Sequence, residues 1–466
     1  MSQISNLYWK LWKSYENPGC VSMFRELENE ARLSSEQWIS KRDRRLQSFL
    51  KFASNEIPYY QSLFQSVGFD PTSPNWKADF SRVPVLTKQL VRENTQDLRN
   101  SSVEVAHKNS TGGSTGEPLH FYQCNDYRMA SVALDAHVRT SWGVGPIDRT
   151  ANIWGADIDF RDQSFRKRFY DWRSRLRGLN AFKMNREELI GFLKMLATWN
   201  PPYLMGYSSA LEVLAEAALE SGIDTIRFKA IRSSAEKLWP HQREKIESAF
   251  KSPVLDFYGS REINNIAAEC VEKNRMHLVS TLRYVEITDE SGQPVAPGEP
   301  GFVTVTDLTN RAMPFVRYRN DDMATFSATP CSCGKPSPVV ESLLGRSTDI
   351  IHSSRGDMVH GEFFTHLFYD LPNVREFQVR QTEIEKILIA YVGSEPLADK
   401  QKQNLVEKVQ QKMGCETAIE FSQCDSIPRL PSGKHRFTVC EIDRNQGNPL
   451  DVQINSKPAS QAQKMD

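Results

Sequence analysis

Asn109-Ser110-Thr111-Gly112-Gly113-Ser114-Thr115-Gly116-Glu117-Pro118 packs four hydroxyls and three glycines into ten residues, a composition suited to gripping phosphate. Glycines let backbone N–H groups close on an anion, and Ser and Thr add uncharged donors. An ordinary polar hairpin loop uses the same residue types, so the stretch needs support from elsewhere. Groups that could complete phosphate chemistry stand in four further stretches: Tyr258-Gly259-Ser260-Arg261-Glu262, Arg317-Tyr318-Arg319-Asn320-Asp321-Asp322, Gly345-Arg346-Ser347-Thr348-Asp349 and Pro431-Ser432-Gly433-Lys434-His435-Arg436. A Walker loop would need Gly-Lys-Ser or Gly-Lys-Thr opening a helix. Here Gly116 is followed by Glu117-Pro118 and then an alternating, strand-like run, which argues against a P-loop kinase or NTPase.

A second chemistry is written in the cysteines. Of the eight, Cys331 and Cys333 form a Cys-x-Cys pair, whereas Cys20, Cys124, Cys415, Cys424 and Cys440 are isolated. Cys331, Cys333, Cys270 and His277 together make a Cys₃His set of the type that holds structural zinc; three reduced thiols and a surface histidine are the alternative. In a cytoplasmic chain such a pattern suggests metal before disulfide.

These residues must be carried by a chain of 466 residues with 58 basic and 58 acidic side chains. Its length suggests about three structural units, and one large α/β domain plus a small one fits as well. With zero net charge, no global field favours nucleic acid or an anionic membrane, so any anion site is local. No apolar run reaches the roughly 20 residues that span a bilayer, and the polar opening Met1 to Asn6 is unlike a signal peptide. A soluble, cytoplasmic protein without a membrane span is expected, its oligomeric state open between monomer and homodimer.

The first hundred residues read as helical, with Ser34 or Ser35 capping a helix through Trp38, Leu46 and Phe49, Pro58 ending it, and Thr87 capping another through Leu90 and Val91. Strands are expected at Val103 to His107 and Leu119 to Gln123, flanking the Gly/Ser/Thr loop. A helix over Asp126 to Trp142 and a strand over Ala151 to Gly155 follow. The basic run Arg161 to Arg177, with interleaved aromatics, suits a solvated amphipathic helix better than a nucleic-acid stripe. From Glu187 helices and strands alternate, with strands at Tyr203 to Tyr207, Ala230 to Ser234 and Val254 to Tyr258. That pattern predicts a parallel or mixed sheet covered by helices. Ligands of such sheets lie at the carboxyl ends of strands, which places Ser234-Ala235-Glu236 and Tyr258-Gly259-Ser260 at a cofactor and Trp154, Tyr207, Ser234 and Ala235 along a substrate pocket. Aromatic walls there suit an aryl or otherwise flat ligand, and equally suit plain core packing.

From Leu278 to Phe326 the texture changes to short strands, a β subdomain at about 278–340. Beyond Gly345 a small α+β domain is expected, with strands at Phe377 to Arg380, Ile387 to Val392 and Thr417 to Phe421 and a helix over Leu397 to Met413. The fold class is thus α/β: a large N-terminal domain over 1–345 with a helical region at 1–100, mixed sheets and the β subdomain, a small mobile C-terminal α+β domain over 346–445, and a disordered tail at 446–466.

The order and separation of the five stretches resemble the AMP-forming adenylate-forming superfamily of acyl-CoA synthetases and ligases, most of all its phenylacetate-CoA ligase and CapK-like branch. The resemblance extends to about Arg444. It implies that Ser110, Thr111, Gly112, Gly113, Ser114, Thr115 and Gly116 grip the β- and γ-phosphates of ATP. Leu119 stands where many members carry lysine. Glu262 would hold Mg²⁺, Tyr258 would lie against adenine, Asp322 would bind the ribose hydroxyls, and Arg346 would sit near the ribose and α-phosphate. Asp349 would be the hinge of the small domain, and Lys434 the catalytic lysine that reaches the α-phosphate and the substrate carboxylate. Family members usually read Thr-Gly-Asp where this chain reads Asn320-Asp321-Asp322, which leaves open which aspartate points inward. Similar Cys and His pairs recur in CapK-like relatives. The implied activity joins a small-molecule carboxylic acid to an acyl acceptor, CoA first, through an acyl-adenylate. An amine or carrier thiol as acceptor, and a nucleotide-binding scaffold without turnover, are the alternatives.

Overall fold

The structure is a computed structural model that describes residues 19–111, 119–154, 175–181, 184–272, 275–346, 351–354, 358–359, 361–368, 371, 373–414, 416–428 and 436–442. The chain divides between Gly345 and Arg346 into two units.

The N-terminal unit opens on helices Cys20–Glu30 (α1), Ser35–Glu56 (α2) and Pro58–Ser66 (α3). Ser34 caps α2: its hydroxyl accepts from Gln37 N while the Gln37 side chain returns a bond to Ser34 N. Pro58 does more than end α2. It occupies the first turn of α3 directly after the extended residue Ile57, because its preset φ suits a helix start and its missing N–H has no partner there to lose. Trp38, Leu46, Phe49, Tyr60 and Phe64 bury their faces in one core with strands of the central sheet.

That sheet has eleven strands among the described residues. They are Thr150–Trp154 (β3), Leu176–Asn180 (β4), Tyr203–Tyr207 (β5), Ala230–Ser234 (β6), Val254–Tyr258 (β7), Ala267–Glu269 (β8), Met276–Leu278 (β9), Arg283–Thr288 (β10), Gly301–Asp307 (β11), Tyr318–Phe326 (β12) and Val339–Arg346 (β13). A separate hairpin of His107–Ser110 (β1) and His120–Gln123 (β2) precedes them. The spatial order is β10-β11-β12-β13-β9-β8-β7-β6-β5-β3-β4. Strands β4, β3, β5, β6 and β7 run parallel; helix Asn125–Ser141 (α4) precedes β3, and helices Arg186–Trp199 (α5), Ser208–Glu220 (α6) and Pro240–Phe250 (α7) fall between the strands in sequence. Beyond β7 the pairs β7-β8, β8-β9, β9-β13, β12-β11 and β11-β10 are antiparallel. The strands expected as a β subdomain are therefore hydrogen-bonded members of the same sheet, joined through β13 and β9.

Two expectations are corrected. The strand before the Gly/Ser/Thr loop is His107–Ser110, not Val103 to His107. Val103 and Val105 pack instead on Cys124 and Tyr127, so register with β2, His107 opposite Gln123 and Ser110 opposite His120, overrides their β propensity. The end of the basic run is not helical either: Leu176–Asn180 is an edge strand parallel to β3, and the Arg177 guanidinium lies 4.7 Å from the Trp199 ring. Residues 155–174 of that run lie outside the described residues.

The C-terminal unit has a sheet of Val374–Glu383 (β16), Lys386–Gly393 (β17), Ala418–Gln423 (β18) and Thr438–Cys440 (β19), in the order β18-β17-β16-β19, beside the pair Ile351–His352 (β14) and Met358–Val359 (β15). Helices Gly361–Phe368 and Asp399–Met413 cover it, burying Phe364, Leu405, Val409 and Met413 on Val379, Ile387 and Ile389. The tail 446–466 lies outside the described residues. No helix among the described residues is long and apolar enough to cross a membrane.

Candidate active site

Strands β3, β5, β6 and β7 are neighbours in the sheet, so Trp154, Tyr207, Ser234 and Tyr258, the last residue of each, stand in a row at its carboxyl edge. Trp154 and Tyr207 have ring centroids 4.5 Å apart at 36°, with Tyr207 in the core under α5–α7 and Trp154 packed against it. Ser234 donates to Phe257 O at 3.3 Å. Ala235 follows with φ +70°, a conformation that costs a non-glycine residue of order 1–3 kcal/mol and persists where the surroundings impose it. Glu236 turns back toward α6, its Oε2 accepting from Ser209 N at 3.0 Å, which satisfies a donor in the first turn of that helix.

The turn after β7 is shaped for close approach. A Cβ on Gly259 would lie 2.9 Å from Asn265 N, so only glycine fits. Ser260 accepts from Ile263 N at 3.1 Å and so sets the loop from which Glu262 projects. Glu262 is buried, and its Oε1 accepts from Tyr318 OH at 2.7 Å. Arg261 reaches the backbone carbonyl of Ser110 at 3.4 Å, tying this turn to the Gly/Ser/Thr hairpin. The hairpin is closed at its base by Thr111 N to Leu119 O at 3.0 Å and Leu119 N to Thr111 Oγ1 at 2.9 Å. Gly112, Gly113, Ser114, Thr115 and Gly116, expected to grip phosphate, lie outside the described residues, as do the hinge Asp349 and Lys434. Arg346 is described for its backbone, as the last residue of β13.

Asp322 faces inward. Its Oδ2 accepts from Tyr258 OH at 2.8 Å and from Asn320 Nδ2 at 2.9 Å, and Asn320 Nδ2 also reaches Tyr258 OH at 2.7 Å. Asp321 turns the other way, to Lys88 Nζ at 2.8 Å. Burial, reinforced by Asp322, pushes the Tyr258 phenol well above its ordinary pKa. Burial and Glu262 do the same to Tyr318. Both phenols therefore stay protonated and act as donors to the two carboxylates. The Tyr258 ring is part of the core, and its hydroxyl anchors Asp322. Sequence reasoning assigned no role to Tyr318, Asn320 or Lys88; nothing local marks Tyr318 or Lys88, whose partners Glu262 and Asp321 stand 56 and 233 positions away.

Removing the Tyr318 hydroxyl leaves a buried carboxylate short of one donor. Tyr318→Phe should destabilise the protein by about 1.5–3 kcal/mol, the usual cost of losing a hydrogen bond to a charged group, measured by urea titration with an unchanged m-value. A loss under about 0.5 kcal/mol would mean that Glu262 does not depend on it.

The cysteine cluster assembles as expected from its residue types. Cys270 follows β8, His277 lies in β9, and Cys331 and Cys333 lie between β12 and β13. One ligand atom from each falls within 4.8 Å of every other. Cys270 Sγ and Cys331 Sγ are 3.9 Å apart, Cys333 Sγ and His277 Nε2 3.4 Å. Burial, with Lys335 nearby, holds His277 down to about 4, so the imidazole is neutral, the form that ligates metal. Three sulfurs and a nitrogen converging at this spacing fit a tetrahedral zinc.

Residues 351–441 match the CapK C-terminal domain family. Among curated proteins, the chain is 25% identical over 411 residues to the protein CapK of Staphylococcus aureus, covering 86% of this chain and 88% of that protein. It is 21% identical over 441 residues to the phenylacetate-coenzyme A ligase of Thermus thermophilus, covering 87% and 96%. Among solved structures it is similar to a 2-hydroxyisobutyryl-CoA ligase in its postadenylation state, with a TM-score of 0.69, 21% identity and coverage of 92% and 94%.

Proposed function

We propose, for a chain that is a homologue of CapK and of the phenylacetate-CoA ligases and has the fold of the adenylate-forming CoA ligases, that it is an ATP-dependent, AMP-forming carboxylate ligase acting in the cytoplasm. The observation that carries this reading is the carboxyl-edge site, where the half-buried Asp322 is oriented by Tyr258 and Asn320 and a second carboxylate, Glu262, is buried.

The acid lies along the wall of Trp154 and Tyr207, with Ser234 and Ala235 at its end, and adenine and ribose lie toward Tyr258 and Asp322. A carboxylate oxygen of the acid attacks the α-phosphorus of ATP, forming the acyl-adenylate as the bond to the departing pyrophosphate breaks. The thiol of CoA then attacks the acyl carbonyl, and AMP leaves with the electron pair of the broken C–O bond. The chain's contribution is electrostatic: negative charge gathers on the phosphates, and fixed donors aimed at it lower the barrier. Residues 110–116 hold the departing pyrophosphate, Arg346 sits near the ribose and α-phosphate, and Lys434 neutralises the α-phosphate and the attacking carboxylate. Glu262 would hold Mg²⁺, which supplies charge neutralisation at the phosphates. The Cys270, His277, Cys331 and Cys333 cluster would hold a structural zinc.

Pyrophosphate release across aryl, hydroxy, fatty and amino acids, followed by acceptor trials with CoA and amines, tests the reading. One acid should support release, and Lys434→Ala should lower its rate by about 10²–10³-fold, the scale of losing one transition-state charge contact. ATP binding without release for any acid would instead favour a nucleotide-binding scaffold.

A further inference from the structure

We propose that Lys88 is a positioning residue for the nucleotide: it clamps the bulge of β12 that aims Asp322 at the ribose. This deepens the reading above and rests on it.

Strand β12 is irregular where it carries the site. It advances four residues, Arg319 to Met323, while β11 advances two, Thr304 to Phe302, so two extra residues are absorbed as a bulge. Bulges re-aim side chains, and this one turns Asn320 and Asp322 toward the Tyr258 hydroxyl. Its turning point is Asp321 at φ +69°. Aspartate tolerates that region better than most residues, yet it still disfavours it. Something must hold the turn.

Lys88 does so from outside the sheet. Its Nζ donates to Asp321 Oδ2 at 2.8 Å and reaches the Asn320 carbonyl at 3.3 Å. One ammonium thus pins the side chain and the backbone of consecutive bulge residues. The lysine is itself placed with little freedom. Leu86 N donates to Arg317 O at 2.9 Å, Arg319 N donates to Leu86 O at 3.0 Å, and Thr87 caps the short helix Lys88–Glu93 that Lys88 begins. Lys88 is 17% exposed and Asp321 39%, so the pair is half shielded. The ammonium also offsets a second carboxylate standing one residue from Asp322, beside a site that must receive a polyanion.

The clamp has a signature that a merely structural lysine lacks, because Asp321→Gly removes both the charge and the disfavoured φ. ATP affinity is measured directly by titration calorimetry, with 3′-deoxy-ATP as the ribose probe. Lys88→Met should weaken ATP about tenfold and shrink the discrimination between ATP and 3′-deoxy-ATP by a similar factor, with Lys88→Arg restoring most of both. Asp321→Gly should bind ATP close to the parent protein, and adding Lys88→Met to it should change nothing further. An equal loss on Lys88→Met in the Asp321→Gly background would overturn the inference, since Lys88 would then act on the nucleotide itself. So would unchanged affinity and discrimination in Lys88→Met. If the parent protein binds no ATP at all, the ligase reading fails first and takes this inference with it. ATP binding that ignores Lys88 sinks only the clamp.

Discussion

Asp322→Ala should lower kcat/KM for ATP by about a hundredfold, roughly 3 kcal/mol of transition-state stabilisation, because a carboxylate accepting from ribose hydroxyls contributes about 1.5–3 kcal/mol per bond. The structure explains why the effect belongs to this residue and not to its neighbour. Asp322 Oδ2 is held by the Tyr258 phenol and the Asn320 amide, whereas Asp321 turns to Lys88. Alanine also strips Tyr258 and Asn320 of their common acceptor, so a loss of stability of about 1–3 kcal/mol accompanies the kinetic loss. Tyr258→Phe removes one orienting donor and keeps the carboxylate, and its effect should be smaller, about three- to tenfold. Initial rates over a range of ATP concentrations, repeated with 3′-deoxy-ATP, separate the contributions. Equal discrimination between the two nucleotides before and after Asp322→Ala would take Asp322 off the ribose.

The second large effect is expected at the cysteine cluster. Elemental analysis of the purified protein should find one zinc per chain, and Cys331→Ser should release it. Binding to structural zinc sites of this kind is worth up to about 10–16 kcal/mol in small peptides. Here the surrounding sheet folds on its own apolar core, so the measured loss should be smaller, about 3–5 kcal/mol, enough to lower Tm by roughly 4–7 °C in a unit of this size. Cys333→Ser and His277→Ala should behave alike, because each contributes one ligand atom to the same centre, and the double variant should add little to either single one. Cys424→Ser, a thiol of the C-terminal sheet, should retain the metal. A protein free of zinc whose Cys331→Ser form melts at the parent temperature would mean that the cluster is four reduced side chains and no more.

Where chain-local forces decide, the fold was legible. Strands β5, β6 and β7 match the expected Tyr203 to Tyr207, Ala230 to Ser234 and Val254 to Tyr258, since buried runs bounded by Pro202 and Pro253 leave little choice. Thr87 caps its helix as read, and so does Ser34. The misses occur where distant pairing overrides propensity. Val103 and Val105 look like strand and pack as loop, while Leu176–Asn180, with its arginine and glycine, looks unlike a strand and adds to β3. The site divides the same way. The Cys₃His set could be named from residue type, whereas Asp322 and Glu262 were named only through the family resemblance that the order of the motifs carries. The phenol that serves each carboxylate and the lysine beneath the bulge could not, because Tyr318 meets Glu262 across 56 positions and Lys88 meets Asp321 across 233.

The strand order has a mechanical consequence. Between β7, which ends in Tyr258, and β12, which carries Asp322, lie β8, β9 and β13, and the hydroxyl of Tyr258 then bonds the Asp322 carboxylate. Hydrogen-bonded backbone runs one way around and side chains complete the return, so these five strands make a closed hoop. The Cys₃His rivet sits on the far arc, on β9 and beside β8 and β13. An open ribbon can shear freely at its ends, but a hoop passes shear to every joint. On the zinc and ribose assignments proposed above, a chelator should therefore weaken ATP binding while the sheet is still folded.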